Sequence, residues 1–432
     1  MTTWVRSFAD YADRRVLLIL PLGFASGLPL LLTYSTLSAW LATAGVRRAA
    51  IGAFALVGTP YAFKFVWSPL VDRLPPPIPI GRRRGWAVTI QILLIVVTLA
   101  LGSCNPRHNL MVMAALALAV AFLAASQDIV IDAYRIEILS SDLQGPGAGM
   151  IQVGYRIGML VSGAGALLIA SRFGWFSAYA TMAVLLGVGM LVFLLGPEPS
   201  EDTRVGDKSA RTGIGNWFRT AVAGPFADFM RRPIWPVILV FVFGYKLGEG
   251  MAAVMSTPLY IALGFSLNEI AAISKFVGFF AIVLGALAGG LLTAKLGVFR
   301  ALLFCGVLQA AGNLFYVLQA IEGHRIGYLA LCVTVEQITG GMAGAAFVAY
   351  LSTLCSPAFT ATQYALLSGL ALLGRTVIGS TSGILAEGLG WAPFFALTSL
   401  VALPALLLLF WIARRYEEKP DPTAQVAALT KT

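Results

Sequence analysis

Ionisable side chains are scarce in this sequence of 432 residues. Asp, Glu, Lys and Arg together make up 12% of the chain, whereas hydrophobic residues make up 58%. Soluble domains carry roughly 25% charged residues, so the composition excludes an ordinary soluble protein and favours a membrane protein. Apolar runs of about 20 residues, the length that crosses ~30 Å of hydrocarbon as a helix, recur along the chain.

Histidine and cysteine are scarcer still. Both histidines, His108 and His324, fall in predicted loops. The four cysteines have neither metal-ligand nor disulfide spacing, and we expect them to pack as small apolar residues. We therefore expect no metal site, no cofactor and no histidine-based relay. The cysteines are Cys104, Cys305, Cys332 and Cys355.

We also expect no cleavable targeting segment. Arg14 and Arg15 precede an apolar run that is too long for a signal peptide and lacks a small-residue cleavage site. We expect this run to remain as the first span. Before it, apolar residues at helical spacing in residues 1–15 predict an interfacial helix.

The apolar runs predict an all-α protein with twelve transmembrane helices in two pseudo-symmetric six-helix bundles. Residues 1–196 form the first bundle, 197–232 a polar cytoplasmic connector, 233–413 the second bundle and 414–432 a tail. The predicted spans are 16–42, 50–73, 86–103, 109–134, 147–171, 176–196, 234–260, 268–293, 300–320, 327–354, 363–386 and 391–413.

The distribution of the positive charges predicts the orientation. The net charge of +10 does not indicate nucleic acid, because the cations are concentrated in short loops between spans. If both termini are cytoplasmic, twenty Lys and Arg lie on that side and five lie in the outer loops, as the positive-inside rule requires. The outer cations are Arg47, Arg48, Arg107, Arg172 and Arg325.

The two halves share sequence landmarks. Arg156 is followed by a Gly/Ser-rich helix that ends at Gly174-Trp175, and Arg375 is followed by another that ends at Gly390-Trp391. Six spans, a polar connector and six spans with matching landmarks are typical of transporters built from two related halves. Glycines four residues apart, such as Gly154 and Gly158, indicate close helix packing.

Several motifs in one order resemble the AmpG muropeptide permeases of the major facilitator superfamily, and the resemblance covers essentially all twelve spans. Asp72-Arg73 with Arg82, Arg83 and Arg84 resembles the superfamily's loop between spans two and three, although the Pro-rich segment 75–80 lengthens it. The further motifs are FKFVWSPLVDR (63–73), QDIVIDA (127–133), GYRIGM (154–159), YKLGE (245–249), GGM (340–342) and ATQYALLS (361–368).

The resemblance implies a proton-driven importer in a bacterial inner membrane. Its cargo in that family is GlcNAc–anhydro-MurNAc with or without peptide, and related members resemble acetyl-CoA transporters, so the fold alone does not fix the cargo. Some family members carry two further C-terminal spans, whereas this chain stops after twelve. The resemblance also implies a gating role for the loop residues Asp72, Arg73, Arg82, Arg83 and Arg84.

Charged residues inside predicted spans indicate the functional site, because charges at bilayer depth are expensive and rare. Asp128 and Asp132 are one helical turn apart in span four, and Arg156 lies at comparable depth in span five. We expect an Asp128–Arg156 pair, which either locks the two helices together or opens on protonation or substrate binding. For Asp132, a gating contact with Arg82–Arg84 is at least as plausible as a binding role.

The second half carries a corresponding set. Lys246 and Glu249 are three residues apart in span seven, close enough to interact on one helix. Glu336 lies in span ten, and Arg375 is the counterpart of Arg156. Lys275 either binds cargo or reaches the surface.

These residues predict two roles. With no histidine in the spans, the candidates for proton coupling are Glu249 and Asp128, then Glu336, with Asp132 last. We expect an anionic glycopeptide as the cargo. The candidates for binding it are Arg156, Lys246, Arg375, Lys64, Lys275, Tyr155, Tyr34, Tyr245, Gln127 and, as a further aromatic surface, Trp67.

Three other interpretations of the function remain. The same fold can carry another anionic cargo, such as acetyl-CoA, a peptide or a drug. A polytopic membrane transferase is less favoured, because the outer loops are short and no His-Asp pair or metal motif occurs. A channel is disfavoured by the repeat and the ion pairs within the spans. We expect a non-enzymatic monomer in the bilayer that binds protons and a small molecule, but no nucleic acid.

Overall fold

The computed structural model describes residues 10–46, 54–199, 223–379 and 381–417, and these residues form helices without a strand. Ten described stretches are long and apolar enough to cross a membrane. One of them, Gln144–Leu195, has 52 residues and is interrupted by non-helical backbone at Gly174. If its two arms are counted separately and the segmented stretch 54–73 is added, the described residues offer twelve candidate spans.

The N-terminal bundle, taken as the described residues up to 199, contains eight α-helices. Short 3-10 or π turns connect some of them at Asp10–Ala12, Phe54–Gly58, Lys64–Val66 and Val161–Gly165. The helices are α1 (Arg14–Thr33), α2 (Ser35–Thr43), α3 (Thr59–Phe63), α4 (Ser68–Arg73), α5 (Arg82–Gly102), α6 (Leu110–Ile138), α7 (Gln144–Leu160) and α8 (Ala166–Leu195).

The C-terminal bundle, taken as the described residues from 223 to 417, repeats this plan. Its helices are α9 (Gly224–Met230), α10 (Trp235–Gly244), α11 (Leu247–Ala262), α12 (Leu267–Ile270), α13 (Gly278–Leu296), α14 (Val298–Gly312), α15 (Leu314–Glu322), α16 (Ile326–Thr353), α17 (Thr360–Gly379), α18 (Ser382–Leu389) and α19 (Trp391–Glu417), with a π segment at Ala271–Val277 and a 3-10 turn at Pro357–Phe359.

Several predicted segments fall largely outside the described residues. The interfacial helix predicted for 1–15 is represented by the turn Asp10–Ala12 and the first residues of α1. Most of the predicted connector 197–232 and the last part of the predicted tail 414–432 are not described. Their boundaries therefore remain predictions.

The repeat predicted from Gly174-Trp175 and Gly390-Trp391 is present in the backbone. Gly174 has φ 83° and ψ 165°, and Gly390 has φ 79° and ψ 169°. Side chains with a Cβ rarely adopt this conformation, whereas glycine does so readily. At both positions the chain turns and the tryptophan begins the next helix, so the two halves share a conformation as well as a motif.

Glycine allows the closest helix contact within the N-terminal bundle. A Cβ on Gly27 of α1 would overlap the backbone of Tyr155 in α7, and one on Gly154 would overlap that of Leu20. Small residues let membrane helices approach to backbone contact, which strengthens dispersion where no hydrophobic force acts between helices. The predicted packing role of Gly154 and Gly158 is confirmed.

The apolar cores differ between the two ends of the molecule. We call the end that carries Asp72, Arg83 and Glu137 the basic end, and the other the opposite end. Toward the opposite end, each bundle has a core made of its own residues. Toward the basic end, the N-terminal core includes Ala361 and Ala365 of α17, so the bundles share apolar packing there.

We predict that Gly27→Ala destabilises the protein by about 1–3 kcal/mol, because the added methyl group meets the backbone of α7. Thermal unfolding of the purified protein in detergent measures the change. Gly187→Ala in α8 is the matched control, since a Cβ there meets nothing within 4 Å. We expect this control to be neutral or more stable by up to about 1 kcal/mol. Equal stability of the two variants would contradict the packing role.

Candidate functional site

A cavity of about 380 Å³ lies between the two bundles. The N-terminal bundle lines it with polar groups of α1, α6 and α7, and the C-terminal bundle with groups of α11, α16 and α17. The wall therefore contains acids and bases from both halves. Its polar and charged residues are Ser26, Asp128, Asp132, Gln152, Tyr155, Arg156, Lys246, Glu249, Tyr364, Ser368 and Arg375.

Asp128 and Asp132 have different partners on the N-terminal wall. The hydroxyl group of Ser26 donates a hydrogen bond to Oδ1 of Asp128 at 2.5 Å. Nζ of Lys64 lies 3.5 Å from Oδ2 of Asp132, and the Lys64 side chain is 9% exposed. Asp132 is thus in an ion pair, whereas Asp128 has only a hydroxyl group at hydrogen-bond distance among the described residues.

The predicted Asp128–Arg156 ion pair is wrong. No ion pair joins them within the described residues, although both line the cavity. Arg156 instead interacts electrostatically with Glu249 and Glu336 of the C-terminal bundle. Counting residues along two helices gives similar depths, but it does not give the direction in which each side chain leaves its helix axis.

The predicted contact between Lys246 and Glu249 is confirmed. The carboxylate of Glu249 pairs with Nζ of Lys246 and accepts a hydrogen bond from Nε2 of Gln309 at 2.5 Å. Span seven is broken here, since α10 ends at Gly244 and α11 begins at Leu247. Glu249 therefore lies in the first turn of a helix, where a negative charge is stabilised.

Sequence reasoning missed Gln309. This residue lies in the apolar helix α14 and is 7% exposed. A buried amide in an apolar helix must find hydrogen-bond partners, and this requirement is a signal that the sequence does carry. Its partner, sixty residues away, is not evident from the sequence.

Several predicted binding residues take part in helix packing rather than in the cavity wall. Tyr245 donates to the carbonyl group of Leu302 at 2.9 Å and is 5% exposed. Gln127 donates to the carbonyl group of Ala25 at 3.0 Å. Tyr34, Trp67, Lys64 and Glu336 are also absent from the cavity lining, and the side chain of Lys275 lies outside the described residues.

Asp72 joins the bundles at the basic end. It accepts hydrogen bonds from the backbone N–H of Thr362 at 2.9 Å and from the Thr362 hydroxyl group at 2.8 Å. Its other oxygen lies 2.9 Å from Nη2 of Arg83. A carboxylate at the start of α17 satisfies otherwise unpaired N–H groups of that helix. The contact closes the basic end.

The loop arginines have partners that sequence reasoning did not identify. Arg83 lies 2.5 Å from Glu137, and Arg82 lies 3.1 Å from the same carboxylate. Arg84 donates to the carbonyl group of Gly196 at 2.8 Å. The predicted contact of Asp132 with these arginines is not formed, because Glu137, five residues further along α6, pairs with Arg82 and Arg83 instead. The remaining loop cation, Arg73, lies over the ring of Phe359 at 4.9 Å.

We predict that Asp72→Asn favours separation of the bundles at the basic end. Loss of charge-assisted hydrogen bonds removes about 1.5–3 kcal/mol, so the population with separated ends should rise about 10- to 100-fold. Spin labels at Ser140→Cys and Leu296→Cys, in a background without the natural cysteines, report the distance.

Glu198→Gln is the matched control for this change. Glu198 accepts from the backbone N–H groups of Arg83 and Arg84 within the N-terminal bundle. The Glu198→Gln substitution should leave the distribution of distances between the two spin labels unchanged. An unchanged distribution in Asp72→Asn would show that the inter-bundle contact does not control closure.

Comparison with known proteins agrees with this architecture. Residues 19–335 match the family model described as Major Facilitator Superfamily. The chain resembles a crystal structure of the Escherichia coli fucose:proton symporter with a TM-score of 0.68 and 12% identity, over 92% of this chain and 98% of that one. The crystal structure of a human organic anion transporter has a TM-score of 0.68 and 16% identity, over 95% of this chain and 100% of that one. At such identities these structures show the fold alone.

Curated relatives are closer in sequence. The anhydromuropeptide permease of Escherichia coli K12 is 43% identical over 402 residues, which cover 92% of this chain and 80% of the relative. The putative transporter AmpG 4 of Rickettsia felis is 34% identical over 409 residues, covering 94% and 98%.

The fold and the central cavity define a membrane transporter of the major facilitator superfamily. Within that superfamily, the chain belongs to the AmpG permease family. The predicted fold class, family and multi-pass membrane location are thereby confirmed.

Proposed function

We propose that this protein imports anhydro-muropeptides across a bacterial inner membrane together with protons, by alternating access. The observation that carries the proposal is the central cavity, which contains carboxylates and guanidinium groups of both bundles. GlcNAc–anhydro-MurNAc, with or without peptide, offers sugar rings and carboxylates to such a wall. The similarity to the anhydromuropeptide permease of Escherichia coli, which is 43% identical, supports this cargo.

The basic end faces the cytoplasm in this proposal, as the positive-inside rule requires. Hydrogen bonds from Thr362 to the carboxylate of Asp72 and from the Tyr11 hydroxyl group to the carbonyl group of Leu287 join the bundles there. The opposite ends have separate apolar cores. This arrangement is the one that admits cargo from the periplasm and blocks its release until the basic end opens.

Arg156 and Arg375 bind the carboxylates of the cargo in this mechanism. They come from different bundles, line the same cavity, and have no ion-pair partner among the described residues. Guanidinium groups hold carboxylates through two parallel hydrogen bonds. An anion between them removes the repulsion of two like charges and draws the bundles together around it.

Asp128 is the preferred proton carrier. Glu249 is committed to Lys246 and Gln309, and Asp132 to Lys64. Among the described residues, Asp128 accepts a side-chain hydrogen bond from the Ser26 hydroxyl group and has no cation at ion-pair distance to fix it in the ionised form. A proton that binds there from the periplasmic side changes the charge balance of the cavity at the moment when the anionic cargo enters.

Glu336 is the second candidate for the proton. It lies in α16, and Glu249 and Lys246 interact with it electrostatically. No described cation lies within ion-pair distance of it. Since it is not part of the cavity wall, it supports coupling by charge rather than by contact with the cargo.

We predict that right-side-out membrane vesicles accumulate radiolabelled GlcNAc–anhydro-MurNAc-tripeptide when the outside is acidic. An inward proton gradient should drive uptake above the equilibrium level, and an uncoupler should return it to equilibrium. Uptake unaffected by the uncoupler would contradict proton coupling. The competitors acetyl-CoA and an unmodified peptide, at 100-fold excess, test the cargo; stronger inhibition by either than by unlabelled muropeptide would favour that alternative.

We predict that Asp128→Asn lowers gradient-driven accumulation at least about tenfold while cargo exchange continues, because the amide cannot take up a proton. Ser26→Ala is the control, since it removes the hydrogen bond but keeps the carboxyl group. Glu249→Gln should reduce accumulation and exchange together, because it leaves Lys246 without its counter-charge. Normal accumulation by Asp128→Asn would exclude it as the proton carrier.

A further inference from the structure

Arg135 is among the largest completely buried side chains of the protein, with 0% exposure. It lies near the C-terminal end of α6, one helical turn beyond Asp132. Its Nη2 donates to the Ser352 hydroxyl group of α16 at 3.0 Å, and its guanidinium carbon lies 5.4 Å from the centre of the Tyr364 ring of α17. The side chain therefore reaches from one bundle into the other.

Among the described residues, no carboxylate forms an ion pair with the guanidinium group of Arg135. Its Nε and Nη1 donate to no acceptor in the described part of the chain. The carboxylates on the same side of the bundle interface are already engaged. Asp132 pairs with Lys64, and Asp72 and Glu137 both pair with Arg83.

An uncompensated buried cation is unusual in a folded protein. Buried charges are normally paired, and removing one partner of a buried pair strongly destabilises a protein. The hydroxyl groups of Ser352 and Tyr364 and the ring of Tyr364 are neutral, so they compensate the charge of Arg135 only in part. The arrangement is understandable if a negative charge meets this group in another state of the transporter.

The position of Arg135 identifies that charge. Asp132, Val348 and Tyr364 line the cavity. Asp132 lies one turn before Arg135 on α6, and the Tyr364 ring packs against its guanidinium group. Val348 lies one turn before Ser352, the hydrogen-bond partner of Arg135. With a rise of about 1.5 Å per residue, Arg135 lies roughly 5 Å below the cavity floor toward the basic end. When the bundles separate there, it borders the path from the cavity to that end.

We propose that Arg135 is a second anion-binding position, which takes a carboxylate of the cargo after it leaves Arg156 and Arg375. The inference rests on the proposed function, since it requires the basic end to be the exit. Separation of the bundles breaks the contacts to Ser352 and Tyr364 and exposes Nε and Nη1 for bidentate binding. The cargo's charge thus compensates Arg135 in the state that opens the exit.

The first test compares two cargoes in proteoliposomes containing the full chain. One is the anhydro-muropeptide, and the other is the same molecule with its carboxylates converted to carboxamides. We expect Arg135→Gln to slow exchange of the acid about tenfold or more and to leave exchange of the amide within about twofold of wild type. Arg135→Lys should be intermediate, because it keeps the charge but loses the planar fork.

Ser352→Ala is the control for the contact in the closed state. It keeps the guanidinium group and should keep the wild-type ratio of acid to amide exchange. Equal slowing of both cargoes by Arg135→Gln, or no slowing of either, would overturn the proposal and assign Arg135 to sealing the bundles. Wild-type protein that exchanges neither cargo would overturn the proposed function instead.

A second test needs no transport. In purified full-length protein carrying Arg156→Gln and Arg375→Gln, we expect glutarate, but not glutaramide, to raise Tm. Adding Arg135→Gln should abolish this rise. If glutarate raises Tm equally with and without Arg135, the proposal is overturned even if muropeptide transport is normal. If the rise in Tm disappears with Arg135→Gln, the proposal is supported even if muropeptide is not the cargo.

Discussion

The cost of an ionised group inside a membrane protein governs the arrangement of this molecule. Two acids in the spans, Asp132 and Glu249, are held by lysines of their own bundle. Three charged groups that have no such partner among the described residues lie in the cavity or at the interface between the bundles. Asp128 and Arg156 line the cavity, and Arg135 crosses the interface. Under the proposed function, a proton or an anionic cargo supplies the missing charge at these three positions.

The helices are held together by different contacts within each bundle and between the two bundles. Within a bundle, glycines such as Gly27 bring helices to backbone contact, which gives rigid bodies. Between bundles, the basic end is joined by hydrogen bonds that Thr362 donates to Asp72 and by a shared apolar core. Glycine contact is not confined to single bundles, because a Cβ on Gly149 of α7 would lie 2.9 Å from the carbonyl oxygen of Ala286 in α13. In the proposed alternating access, the contacts between the bundles separate while those within each bundle persist, and the hydrogen bonds between the bundles can be exchanged for water.

Local sequence predicted those parts of the site that depend on one helix. The spacing of Lys246 and Glu249 was sufficient to predict their contact, because residues three apart share a helix face. The predicted ion pair between Asp128 and Arg156 was wrong, because the rotation of each helix about its own axis depends on how the helices pack. Gln309 and Thr362 were missed, because their partners lie far away in the sequence and come close only through the fold.

The sequence by itself determined the all-helical class, the spans, the family and the residues that carry charge into the membrane, because hydropathy and spacing are local properties. It also determined the repeat at Gly174 and Gly390, since positive φ angles select glycine. Tertiary structure alone decided which charges are neutralised and which are not. Lys64 pairs with Asp132 rather than Asp128, and Arg135 has no counter-charge among the described residues, because helix rotation and the closed basic end determine which side chains come within a few ångströms of each other.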